Sequence, residues 1–352
     1  MKYKGKYSVF DARKVSTYPL SARSNKVTLD DLVRPEDIDN LPVDLPEQTY
    51  SYIKAVAGAI VDARQADPPR PVVFFTGAHL IKNGLGPMLV ELVNRQMVSL
   101  VAGNVATAIH DFELALIGQT SENVPNALGK GRFGMAAEFA YINAAIALGD
   151  EDNLGLGESL GRTICDGAFQ KKVFAKAAIA GGARCFEHGE VSVLAACYRN
   201  DIPFTVHAGI GTDVTDQHPS FDGRAKGGCS GRDFLIYTSE ITKFTAGGVI
   251  LNVGSAVTGP EVLLKAVSMA ANVGRAPSGI VTADFDIREY RPDEMSDESS
   301  AGYYCRDQKS VVARIPQAFE GKSFYVQGNQ KQTFPLLFKM IIEEIRTGGA
   351  RV

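Results

Sequence analysis

The chain has no tryptophan, and its five cysteines, Cys165, Cys185, Cys197, Cys229 and Cys305, include no C-x-x-C pair. An odd, dispersed set of thiols argues against a disulfide framework and against a cysteine-built structural zinc site. Cys229, between Gly228 and Ser230, reads as a packing residue because a reactive thiol needs an activating neighbour. Histidine is scarce as well, five in 352 residues. No Lys/Arg run forms a polybasic patch and the formal charge is −3, so nucleic acid and membrane surfaces are not the expected partners. No segment reaches about 18 uninterrupted apolar residues. The basic start, MKYKGKYSVFDARKVSTYPL, lacks the apolar core of a signal peptide. A cytoplasmic protein acting on a small molecule is the expectation.

What is present is a composition, 45% hydrophobic and 22% charged, that supports a large core. The most informative stretch is Ile202 to Gly223, IPFTVHAGIGTDVTDQHPSFDG. It opens as a buried strand and turns at once into small, acidic and imidazole residues. In an open parallel sheet, ligands sit beyond the carboxyl ends of the strands. His207, Asp213, Asp216, His218 and Asp222 would therefore lie at a ligand-facing rim, with Gly209 and Gly211 allowing close backbone approach. A solvated surface turn explains Pro219 and Ser220 but not this concentration of titratable groups.

The same design recurs along the chain. Residues 1 to 48, with Pro19, Pro35, Pro42 and Pro46, read as an extended arm that could reach a neighbouring subunit; 49 to 352 read as a single α/β domain. Strands are expected at Val72 to Phe75, Val98 to Ala102, Ile202 to Val206, Val249 to Val253 and Ser278 to Ala283. Each ends in small or polar residues, and helical spacing separates them. Two further short strands are expected at Ser310 to Ile315 and Ser323 to Val326. This alternation predicts a Rossmann-like parallel sheet with helices on both faces. Gly155, Gly157 and Gly161 fail the dinucleotide fingerprint: the third glycine is one place late and no strand precedes them, so they read as helix-packing residues.

With these loops laid out, the chain resembles the deoxyhypusine synthase family, in its divergent synthase-like branch, from about residue 50 to 346. The motifs that carry the resemblance are Thr76-Gly77-Ala78-His79-Leu80-Ile81-Lys82-Asn83-Gly84, Gly103-Asn104, Ile202-Pro203 leading to Thr212-Asp213, Gly247-Gly248-Val249-Ile250-Leu251 with Gly254, Thr282-Ala283, and Phe334-Pro335-Leu336-Leu337. The resemblance implies a tetramer that binds NAD between subunits, takes a hydride from spermidine and transfers the aminobutyl group through a lysine imine. It implies NAD contacts from Thr76, Gly77, Gly103, Asn104, Asp213, Gly254, Ser255, Thr282 and Ala283. The family's lysine position falls at Arg314, and the acidic segment and tryptophan that precede it are missing. A guanidinium stays protonated and cannot hold an imine, but it clamps carboxylate or phosphate, so the substrate could be anionic. Lys309 substitutes only if the register slips by five residues.

Three functions follow. The first is an NAD-dependent transferase or oxidoreductase in which His207 or His218, with Asp216 nearby, moves protons and Arg314 faces the substrate. The second is a metal-dependent hydrolase or lyase using His207, Asp213, Asp216 and His218, with His79 and His110 from neighbouring strand ends. The third is a regulator that binds NAD without turnover.

Overall fold

The computed structural model describes residues 3–183 and 185–348. Among the described residues eight strands run in chain order: β1 Asn25–Thr28, β2 Val72–Thr76, β3 Leu100–Asn104, β4 Gln119–Glu122, β5 Phe204–His207, β6 Val249–Val253, β7 Val281–Asp286 and β8 Lys322–Gln327. Six of them form one parallel sheet in the order β5-β3-β2-β6-β7-β8. Counted among themselves, these six lie in the order 3-2-1-4-5-6. The chain builds outward from β2, returns to the centre as β6 and then builds outward the other way. The boundary between β2 and β6 is the topological switch point of a Rossmann-like sheet, the edge at which such sheets take their ligands.

The helices are α1 Glu47–Gln65, α2 Ala78–Lys82, α3 Gly86–Asn94, α4 Val105–Ile117, α5 Val124–Leu128, α6 Phe139–Glu151, α7 Leu156–Cys165, α8 Gly167–Ala177, α9 Val193–Arg199, α10 Gly223–Ile241, α11 Thr258–Asn272, α12 Ile315–Ala318 and α13 Gln330–Gly348. Alternation along the strands sorts side chains onto two faces. Val72, Phe74, Val101, Phe204, Val206, Val249, Leu251, Ala283 and Phe285 join the larger core beneath α1, α3, α4, α9 and α13. Val73, Phe75, Ala102 and Ile250 join a smaller core under α10 and α11, with Tyr237, Phe244, Leu263 and Val267. The strands read as continuous apolar runs because both faces are covered.

The glycines of α7 are packing positions. A Cβ on Gly157 would overlap the carbonyl oxygen of Phe204, and one on Gly161 would lie 2.8 Å from that of Leu194. Most of the expected elements lie within a few residues of their sequence positions, with two departures that matter. The end of the strand expected at Ser278 to Ala283 is displaced: β7 runs to Asp286. The stretch expected as a strand from Ser310 is a π-helical turn, Gln308–Arg314, leading into α12.

Residues 18 onward of the expected arm pack on their own chain. β1 pairs antiparallel with β4, Tyr18 bridges to Ala136, and Leu20 is buried. Arg23 reaches Glu113 at 2.7 Å, both side chains 4% exposed.

Candidate functional site

The switch-point crevice is built from two loops that touch. The Gly77 N–H donates to the carbonyl of Val253 at 2.9 Å. A Cβ on Gly77 would overlap the carbonyl oxygen of Gly254, so no larger residue fits without parting the loops. Gly254 is exposed and sits at φ +66°, a conformation that glycine takes without steric cost. Beside them, Gly103 lies under Thr107, 3.0 Å from where its own Cβ would be, and the Thr107 hydroxyl donates to the carbonyl of Thr76 at 3.3 Å. Asn104 caps α4 by accepting the Thr107 N–H at 2.9 Å. Ser255 caps α11 by accepting the Gly259 N–H at 2.9 Å. Thr76, Gly77, Gly103, Asn104, Gly254 and Ser255 thus share the carboxyl edge of three adjacent strands, β3, β2 and β6.

Gln330, the first residue of α13, overhangs this edge. Its Oε1 accepts from Asn83 at 3.4 Å, and its Nε2 lies 3.2 Å from the Cβ position of Gly254. That nitrogen is buried without a hydrogen-bond partner among the described residues. Small loops, two helix starts and an unpaired amide donor suit an anionic group such as a pyrophosphate.

The other expected site residues lie elsewhere. Thr282 and Ala283 are mid-strand, paired with Ile250 and Leu251 and fully buried, so neither reaches the rim; the strand end is three residues further on. Asp213 and Asp216 are not free to meet a ribose or a metal. Both engage the ammonium of Lys226 on α10, Asp213 at 2.7 Å, and the lysine side chain is 1% exposed. The Asp216 carboxylate also accepts the Gly211 N–H at 2.7 Å, which closes the loop on itself. Burial raises the Asp213 pKa, against the lowering effect of Lys226. Asp222 serves α10 as its N-cap, accepting from Arg224 and Ala225.

His207 ends β5, but its ring faces the smaller core, stacked on Phe75 at 5.5 Å and edge-on to Tyr237 at 5.4 Å. Desolvation lowers its pKa to about 3. His218 is 4% exposed, takes the Ser220 N–H on Nδ1 at 3.1 Å, and is lowered to about 4 by burial. Both rings are neutral at physiological pH. Each is held by its packing, unlike a base poised near neutrality. The metal-ligand grouping of His207, Asp213 and His218 is therefore not assembled: the three side chains serve an aromatic slot, a lysine and a serine turn. No cluster of three or more His, Cys, Asp or Glu side chains is arranged to hold a metal among the described residues. Arg314 is exposed at the end of the π-helical turn, with no ion pair among the described residues. Lys309 puts its ammonium 3.2 Å above the Tyr303 ring, and its pKa is lowered by desolvation and by Arg314 and Arg306.

A buried polar row went unnoticed in the sequence. Cross-strand register sets Phe75, Asn252, Asp284 and Tyr325 side by side across β2, β6, β7 and β8. The Asn252 amide donates to Asp284 at 2.7 Å and to the Ser255 carbonyl at 2.9 Å. The π-helical turn and the residue before it add Gln308, which donates to the Tyr325 hydroxyl at 3.0 Å, and Asp307, which pairs with Arg288. Single polar residues inside apolar strands, Asn252 in VILNV and Asp284 in VTADFD, were the available signal. Tyr325 is also one wall of a cavity of ≈ 590 Å³ past the end of β8, shared with Tyr52, Tyr290 and Gln332.

No protein-family model matches the chain, and no curated protein matches it. Solved structures with a similar chain path include the arginine dihydrolase ArgZ of the cyanobacterial ornithine-ammonia cycle, with TM-score 0.46 and 17% identity over 86% of this chain and 32% of that one. A protein assigned to the LOR/SDH type from Methanococcus maripaludis gives 0.46 and 16%, over 88% and 74% of the two chains. A protein assigned as a deoxyhypusine synthase from Entamoeba histolytica gives 0.45 and 9%, over 84% and 88%. This chain spans about a third of ArgZ. These likenesses concern the fold alone.

Proposed function

We propose that the chain binds NAD across the switch-point crevice and uses it as a transferase or oxidoreductase of the deoxyhypusine synthase-like type. Its substrate is a small amine or, with Arg314 exposed and unpaired among the described residues, a small anion. The observation that carries this reading is the close apposition of Gly77 and Gly254 at the reversal of strand order, where a Cβ on Gly77 would overlap the Gly254 carbonyl oxygen and only side-chain-free loops can meet. The backbone N–H groups of Ala78 and Ser255 would hold the pyrophosphate, with Asn104 and the Gln330 amide at its flanks; those of Gly77 and Gly254 are spent on the Val253 and Phe285 carbonyls, and these two glycines contribute the absence of a side chain. Bound there, the nicotinamide supplies a hydride acceptor. Asp213, Thr282 and Ala283 have no part in this binding. Homotetrameric assembly belongs to the same reading and is measured by light scattering.

Calorimetric titration of the folded protein with NAD and NADP tests the proposal. Saturable binding of either, weakened at least tenfold in Gly254→Val, is the expected outcome. Absence of heat with both nucleotides sinks it.

A further inference from the structure

Behind the switch-point loops, β7 and the segment Asp307–Gln308 bring Asp284 near Asp286 and Asp307, the two acids that pair with Arg288. Arg288 pairs with Asp286 at 2.8 Å and with Asp307. Asp284 and Asp307 are each 0% exposed. Asp284 keeps Oδ1 on the Asn252 amide at 2.7 Å, but among the described residues its Oδ2 has no partner, and neither has Oδ1 of Asp307. Two fully buried carboxyl groups with one orphan oxygen each, and one guanidinium among three acids, are short of a hydrogen-bond donor. A proton is the smallest group that supplies one, as in neighbouring buried acids that cannot both ionise.

We infer that Asp284 and Asp307 hold a single shared proton at neutral pH, forming a proton site one hydrogen bond below the switch-point loop. Burial and the Asp307 charge raise Asp284 well above the usual carboxyl range, with Asp286 adding to the rise and Asn252 and Arg288 opposing it. Burial also raises Asp307, against the pull of Arg288. Two further titratable groups face the cluster: the Cys305 thiol, which accepts from Arg288 at 3.6 Å, and Tyr325, which is held in its neutral form by desolvation and by the acids themselves. The link to the crevice is Asn252, whose amide bonds both Asp284 and the Ser255 carbonyl. Losing the proton adds a negative charge directly behind the loop. An anionic ligand at Gly77 and Gly254 is therefore favoured when the proton is present, and by reciprocity its binding draws a proton in. This second step rests on the nucleotide reading; the proton itself does not.

Infrared difference spectroscopy of the full chain between pH 5 and 9 tests the proton site without any ligand. The expected result is a protonated-carboxyl band present at pH 7 in the wild type and missing in Asp284→Asn, beside the component that the buried Asp233 carboxyl, raised to about 7, gives in both. In Asp307→Asn the band should vanish at a lower pH than in the wild type, because the amide replaces the repelling charge with a donor. A wild-type spectrum identical to that of Asp284→Asn overturns the inference, and an unshifted band in Asp307→Asn overturns the pairing. Nucleotide titration in two buffers of different ionisation enthalpy reads the linkage. Proton uptake on binding supports it; binding without uptake overturns the linkage, and a failure to bind overturns the nucleotide reading while leaving the infrared result standing.

Discussion

His207 and His218 illustrate what a sequence conveys about a single residue and what it does not. Their position after an apolar strand was legible; the direction of each ring was not, because that depends on which face of β5 meets Phe75 and Tyr237. Burial has set both below the ordinary 6.5, to about 3 and about 4. The unfolded chain therefore takes up protons first as pH falls. Their contribution to stability is present above pH 6.5 and is lost as the pH drops through the folded values, at up to about 1.4 kcal/mol per pH unit for each group. His207→Phe should flatten this acid limb, a result read from urea midpoints between pH 4 and 7; an unchanged slope contradicts a neutral core imidazole. Lys226 was missed because a lysine in a glycine-rich helix start looks solvated. With its ammonium between two carboxylates, Lys226→Met should cost about 3–5 kcal/mol in urea unfolding. Adding Asp213→Asn and Asp216→Asn should recover part of that loss. A cost below about 1 kcal/mol would mean that the triad is effectively exposed.

Elements with sustained periodicity or a clear punctuation mark were the legible ones. α4 and α11 supply the helical spacing expected after the strands, and β2 and β6 run into the small residues of the switch-point loops. β7 was cut short because Asp284 and Asp286 look like loop residues. They continue the strand because Asn252 and Arg288 stand ready to receive them. The run SVVARI reads as a β-branched strand, yet Val311 and Ile315 both enter the smaller core four residues apart, which is helical spacing. A π-helical turn has no sequence signature of its own, and such turns often accompany functional sites; this one delivers Gln308 to the polar row. α10 starts seven residues before its apolar periodicity is visible, at Gly223, because Asp222 caps it. Asp222→Ala should therefore lower stability by about 1 kcal/mol, measured by thermal unfolding. A change within about 0.2 kcal/mol would show that the start of α10 is held by packing alone.

For the molecule as a whole, alternating strand and helix signals predicted a parallel, helix-covered sheet, and that is the architecture. The order 3-2-1-4-5-6 was not legible, since it depends on where the chain crosses back after β5, which no local pattern records. The fate of the amino-terminal segment was hidden for the same reason: proline-rich, aperiodic text is compatible with an arm reaching outward or with one folded back. Here it divides. Tyr3, Tyr7, Val9 and Phe10 are exposed, between 52% and 77%, whereas Leu20 is 1% exposed and Arg23 neutralises Glu113 inside the body. Glu113 in turn accepts the Thr120 hydroxyl at 2.5 Å, and Thr120 faces Val27 across the β1–β4 ladder. Removing residues 1–10 should thus shift stability by no more than about 0.5 kcal/mol. Removing 1–28 strips β4 of its partner and leaves the Glu113 carboxylate buried without its cation, at a cost of about 3–5 kcal/mol. Adding Glu113→Gln to the longer truncation should return a measurable share of that loss, because an amide at this depth needs no counter-charge. Equal urea midpoints for the two truncations would mean that the segment from Tyr18 onward rests on the body without stabilising it.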